Sequence, residues 1–281
     1  MDTLLEPFAY GFFRHALAVA VIGGALCGLV GVYVVLRGMS YIGHGLSHAI
    51  FGGAVASYVM DLNFYVGAGA WGLVAALLIN RVARRRTIGA DAAIGVVTNA
   101  SFAVGIVLVS AFRSFTRNFE AALWGNVLGV TPADVAVVAA VAAFAVGVVV
   151  LRYRQLLFST FDPEVAEVSG VNVARTDLLL ALVLASTITA TMNVMGVTLI
   201  AAVLVIPPVI ARLVTDSFGR MLLLSTGVGA VCGFAGVYAS YYLDWSSGGS
   251  VVLAAALLFV LAFAVSGARG RRLPSRAADV H

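Results

Sequence analysis

Apolar runs of close to 20 residues, with charges only near their ends, recur along this chain, near 15–36, 42–60, 64–80, 92–111, 133–151, 176–195, 197–214, 221–243 and 250–267. About 20 apolar residues are what a helix needs to cross the hydrocarbon core of a bilayer. Inside lipid a backbone must satisfy its own hydrogen bonds, which leaves the helix as the natural solution for runs of this length. The pattern predicts an all-α fold, a polytopic transmembrane helical bundle of 8–9 spans forming one domain over residues 1–281. Composition agrees: 62% of residues are hydrophobic and only 11% charged, too few charges to coat a water-exposed surface of this size. The stretch 119–132, FEAALWGNVLGVTP, is too short to span and reads as re-entrant or interfacial.

All 17 basic residues are arginine; the chain contains no lysine. A phosphate-binding P-loop needs G-x-x-x-x-G-K-[ST], with lysine reaching the nucleotide phosphates. Without lysine this chain cannot itself be a P-loop ATPase, and nothing in it reads as a catalytic set. Arg37, Arg81, Arg84, Arg85, Arg86, Arg152, Arg154, Arg175, Arg220, Arg269, Arg271, Arg272 and Arg276 fall on one side of the predicted spans. Only Arg14, Arg113 and Arg117 fall on the other, and Arg212 lies within a span near the end that faces the first set. Cytoplasmic loops carry the excess of basic residues, so the first set is expected in the cytoplasm of a plasma-membrane protein. Nine spans then put the C-terminus inside, with a basic tail at 268–281, and the N-terminus outside. The arginines do not cluster on a soluble face, which argues against nucleic acid as a partner. Cys27 and Cys232 lie in apolar runs and read as small buried hydrophobes. The N-terminus shows no basic region followed by a cleavage site, so no removable signal peptide is expected.

Within the spans, Gly24-x-x-x-Gly28 and the series Gly45, Ala49, Gly52 offer small-residue faces for close helix packing. Thr98, Asn99, Asn193 and Thr198 are polar residues expected chiefly to bond between helices, with lining a pathway as the alternative. Pro207-Pro208 in VLVIPPVIA is expected to break or bend its span, and Asp91 to cap a helix. The longest polar loop, 152–175, contains FDPEVAEVSG. Asp162 can cap a helix, Pro163 suits its first turn and Glu164 complements the positive end of its dipole, while Gly170 stops it. This predicts a short helix over 163–169. From the residues alone it is either a connector held by its own protein or a docking element for a partner.

The segment RGMSYIGHGLSHAIFGG (37–53) resembles the signature of the ABC-3 family, the membrane permeases of manganese, zinc and iron ABC importers. Further resemblances follow in order: DAAIGVV at 91–97, LWGNVLGVTPADV at 123–135, FDPEVAEVSGV at 161–171, VMGVTLIAAVLVIPPVIARL at 194–213 and SYYLDWSSGGSVVL at 240–253. The resemblance implies a type II importer-like permease that pairs with a second copy of itself. It implies two copies of a cytoplasmic P-loop ATPase and an extracytoplasmic metal-binding protein as partners, with the lipid bilayer as surroundings. The 163–169 helix then corresponds to the element that couples to the ATPase. Asp162, Pro163, Glu164, Ala166, Glu167 and Gly170 are its candidate residues, and Glu164, Ala166 and Gly170 keep an E-x-A-x-x-x-G spacing. Val165 departs from that pattern.

His44 and His48 are four residues apart, hence on one helical face. At about 1.5 Å per residue His48 lies about 16 Å along the helix from Arg37, near the middle of a bilayer. An ionisable group at such depth is a functional candidate by default, and packing in the helix interface is the plain alternative. Where the family commonly has aspartate this chain has His44. Imidazole suits zinc and other borderline metals while carboxylate favours manganese. Two imidazoles are half of a tetrahedral set; a partner copy's pair related by a two-fold axis would supply the rest. Ser40 and Ser47 are candidates to orient the imidazoles or to bond backbone, and Asn99 and Asn193 to line the pathway. The expected activity is permeation of manganese or zinc, with iron a further option, and no permanently bound cofactor. The rivals are a permease for an iron chelate or vitamin, which needs a dry cavity without metal-binding side chains, and a gradient-driven secondary metal transporter. The latter needs buried acids, and no Asp or Glu falls in the middle of a predicted span. A membrane-embedded enzyme is more remote.

Overall fold

The computed structural model describes residues 5–60, 62–83, 90–111, 129–197 and 199–270. Its regular elements are helical: a short 3-10 turn (Glu6–Ala9), then α1 (Gly11–Leu36), α2 (Ser40–Val59), α3 (Phe64–Ala83), α4 (Ala90–Ala111), α5 (Pro132–Leu151), α6 (Tyr153–Phe161), α7 (Pro163–Val168), α8 (Val173–Met195), α9 (Ile200–Val214), α10 (Phe218–Leu243) and α11 (Ser247–Gly270). Among the described residues, six helices are long and apolar enough to cross a membrane: α1, α3, α5, α8, α10 and α11. The apolar parts of α4 and α9, Ala92–Leu108 and Ile200–Val214, are shorter. The 20-residue α2 is diluted by histidine, serine and glycine. Its place inside the bundle therefore depends on neighbours as well as on its own hydrophobicity.

Helix α1 forms the centre, with most of its length buried, and lies closest to α10. The contact has a local cause. A Cβ at Gly24 would collide with the Gly229 carbonyl, one at Gly28 with the Ser225 carbonyl and one at Gly233 with the Ala20 carbonyl. The two backbones thus touch directly, and Ser225 Oγ donates to the Gly28 carbonyl at 2.6 Å. Lipid offers no hydrophobic drive to join helices, so this close packing and bonding hold the pair.

Helix α2 packs on α4 and α3. Gly52 lies against the Ser101 carbonyl and Gly105 of α4, and Gly53 against the Trp71 ring of α3. Because α2 is gripped on these faces, its neighbours fix where its polar residues stand.

Two sequence expectations change here. Pro207 and Pro208 do not break their span, for α9 runs as one helix from Ile200 to Val214. The interruption comes earlier, at Gly196, whose φ of 79° ends α8. The missing proline N–H groups are accommodated by the bundle, with the Leu204 carbonyl, four residues before Pro208, packed against Gly31 of α1. The polar loop also holds more structure than expected. Before the short helix, YRQLLFSTF forms α6, because Leu156 is buried in a cluster with Tyr33, Leu180 and Met221. The 119–132 stretch is described only from Gly129 onward, where Thr131 and Asp134 form a reciprocal cap on α5. The tail from residue 271 lies outside the described residues.

Candidate metal site

A cavity of about 660 Å³ opens between α2 and α4. On the α2 side it is lined by Tyr41, His44, Gly45 and His48; on the α4 side by Ile94, Gly95, Thr98, Asn99 and Phe102. The helical repeat brings the two imidazoles together as the i, i+4 spacing predicts, with ring centres 4.6 Å apart and planes at 71°. His44 is exposed and His48 partly buried. The His48 ring also meets Phe102 edge-on at 5.2 Å. Measured from Ser40 at about 1.5 Å per residue, His44 is about 6 Å and His48 about 12 Å into a helix about 30 Å long. His48 therefore sits near mid-helix, and His44 nearer the end that carries Arg37.

Gly45 shapes this cavity. A Cβ there would stand 2.5 Å from Ile94 Cγ2 and 2.6 Å from Thr98 Oγ1. Only a residue without a side chain admits α4 so close to the histidines. Thr98 differs from the expectation of a helix-to-helix bond: its Oγ1 is buried and makes no hydrogen bond in the protein. Asn99 is exposed at the cavity wall. Ser47 is fully buried and donates to the His44 carbonyl at 2.9 Å, so it holds backbone. Ser40 is exposed at the start of α2 and is not among the lining residues. The side chains of Asn193 and Asp91, and all of Thr198, lie outside the described residues. Among the described residues no group of three or more His, Cys, Asp or Glu converges. The two histidines thus stand as a pair on the cavity wall.

At the Arg37 end of the bundle the structure shows a link that the sequence did not disclose. Arg37 closes α1, and its guanidinium pairs with Asp177 of α8 at 2.6 Å. It also donates to Ser159 Oγ at 2.9 Å and Thr160 Oγ1 at 3.3 Å, both on α6. Both charged side chains are mostly buried, 12% and 14% exposed. Read from sequence, Arg37 is only a marker of orientation. The one hint there is Asp177, an acid set at the edge of an apolar run. These bonds fix the turn leading into α2 against α8 and against α6, the segment leading into α7.

In α7 the expected features are present. Asp162 caps the helix by accepting from Val165 N at 2.9 Å, Pro163 opens it, and Gly170, at φ 81°, follows its end. Ala166 is buried, whereas Val165 and Val168 are 54% and 91% exposed. Phe161, just before the helix, is exposed too. The short helix is thus held by one side and presents apolar side chains on the other.

A bundle of apolar spanning helices around a cavity with polar lining is the architecture of a membrane transporter. The chain belongs to the ABC 3 transport family, whose sequence profile matches residues 9–266. It is 37% identical to the manganese transport system membrane protein MntC of Halalkalibacterium halodurans, over 94% of this chain and 91% of that protein. It is 34% identical to the manganese import system permease protein ScaB of Streptococcus gordonii, over 94% and 96% respectively. Among solved structures, PsaBC from Streptococcus pneumoniae, in complex with a Fab, superposes with a TM-score of 0.84 at 32% identity, covering 93% of this chain and 95% of that one.

Proposed function

We propose that this chain is the membrane permease subunit of an ATP-driven importer for a divalent transition metal, manganese or zinc, and that His44 and His48 form the station through which the ion passes. The observation that carries the reading is the pair of imidazoles 4.6 Å apart on the wall of a cavity between two helices of an ABC-family bundle. Neutral imidazole is a ligand for zinc, copper, nickel and iron, so a pair of them moves the balance towards borderline metals. The names of the manganese relatives support manganese as the other choice. The ion is cargo, and the permease performs no bond chemistry.

In this reading the chain is one permease domain in the plasma membrane, with the Arg37, Arg152 and Arg175 end in the cytoplasm, the C-terminus inside and the N-terminus outside. Two copies face each other, each docking a separate P-loop ATPase through α7, while an extracytoplasmic binding protein delivers the metal. The exposed Val165 and Val168 supply an apolar contact for the ATPase, and Asp162, Glu164, Glu167 and Gly170 shape and flank that helix. The Arg37 link ties the docking segment to the start of the histidine helix. The absence of lysine leaves ATP hydrolysis to a partner.

The test is metal uptake by cells whose only importer carries His48→Ala. Uptake of manganese and zinc should fall to background at unchanged protein level in the membrane. Undiminished uptake of both would remove the site.

A further inference from the structure

Five threonines elsewhere in the helices behave as threonines in a helix ordinarily do. Thr176, Thr187, Thr189, Thr191 and Thr226 each donate to the carbonyl four residues back, at 2.7–3.1 Å. That local bond is the usual resort of a hydroxyl in an apolar helix. Thr98 breaks the pattern. It is only 7% exposed, yet its Oγ1 donates neither to Ile94 nor to any other group. A buried hydroxyl without a partner is unfavourable and calls for an explanation. This one belongs to a residue that lines the histidine cavity and lies against Gly45, the neighbour of His44. Asn99, on the same wall, adds a carboxamide oxygen.

The two walls therefore differ in chemistry: α2 brings two nitrogen donors and α4 brings two neutral oxygen donors. We propose that Thr98 and Asn99 are the oxygen half of the cation site, so that one copy of the chain supplies a mixed nitrogen and oxygen set across the α2–α4 cavity. This rests on the histidine site proposed above, and replaces the four-imidazole cage that two copies would form. Its consequence concerns selectivity. Oxygen donors favour harder ions such as manganese, while an all-imidazole set favours zinc. The α4 wall thereby keeps manganese among the cargoes of a site whose α2 wall is all nitrogen.

The experiment is uptake of radioactive manganese by cells carrying the intact importer, with zinc as competitor, in wild type, Thr98→Val, Thr98→Ser, Asn99→Leu and His48→Ala. Valine keeps the shape of threonine and removes the hydroxyl; serine keeps the hydroxyl. The expected result is that Thr98→Val and Asn99→Leu each lower the zinc concentration needed for half-inhibition by about tenfold, the size of effect seen when groups supporting a metal site are removed. Thr98→Ser should match wild type. Competition unchanged in both Thr98→Val and Asn99→Leu, or manganese and zinc uptake falling by the same factor, overturns the proposal. Should Thr98→Val fail to accumulate in the membrane, the exposed Asn99 decides alone. Loss of the histidine site shows separately, as uptake surviving His48→Ala. Pulsed EPR of manganese bound to the purified importer complex gives a second readout. Two imidazole nitrogens coupled to each ion are expected, and four overturn the proposal.

Discussion

An imidazole binds a cation through a nitrogen lone pair that a proton otherwise occupies, so each histidine ligand makes metal binding compete with protonation. Wherever proton and cation compete for the same lone pairs, a site held by two histidines should weaken by about 100-fold per pH unit and one held by a single histidine by about tenfold. His44→Asp restores a carboxylate that remains ionised down to about pH 4. It is expected to make the loss of manganese uptake on acidification shallower, and to shift preference from zinc towards manganese. Uptake measured across pH for both ions checks this. An unchanged slope would show that His44 does not touch the ion. The shared face of His44 and His48 is readable in sequence, because a helix repeats every 3.6 residues. The role of Thr98 is not, since only the assembled α2–α4 contact shows that its hydroxyl has gone without its usual bond.

At the scale of helices, the cavity depends on how closely α2 approaches α4, and that is set by glycines. Gly52→Val would drive a side chain into the Ser101 carbonyl and Gly105 backbone, a collision that packed helices cannot relieve by moving a side chain alone. The expected outcome is a variant that accumulates poorly or melts well below wild type in a detergent-based thermal assay, with transport lost alongside. Gly147→Ala in α5 is the control. Nothing lies within 4 Å of the added methyl, and alanine is favoured over glycine in a helix by up to about 1 kcal/mol. Its melting temperature should be unchanged or slightly raised. Equal loss in both variants would mean that the α2–α4 contact is not what sets stability. The sequence offers Gly52 as one of many small residues; which helix it meets is visible only once the bundle is assembled.

For the molecule as a whole, the two ends of α7 are joined to different tasks. Val165 and Val168 face outward, and the segment just before the helix is bound through Ser159 and Thr160 to Arg37, which lies just ahead of α2. A partner that pulls on α7 therefore pulls on the helix that carries the histidines. Val168→Asp places a charge on a side chain that is 91% exposed. It is expected to leave membrane insertion and melting unchanged while reducing the P-loop ATPase recovered with the affinity-purified permease by at least about tenfold, as for a charge set in the apolar centre of an interface. Full recovery of the ATPase would place docking elsewhere.

The sequence by itself determined that this chain lives in a membrane, that its spans are helical, which end of each span is basic, where the short capped helix lies and that two imidazoles share a face. These follow from local terms: apolar length, the placement of arginines, the helical repeat and capping chemistry. Only the tertiary structure decided that α9 survives its two prolines, that Arg37 is tied to Asp177 and α6, and that the histidines look onto Thr98 and Asn99. Each of these joins residues about 50 to 175 positions apart. Contacts over such distances leave no period in the sequence, because they are set by which helices the small residues allow to meet.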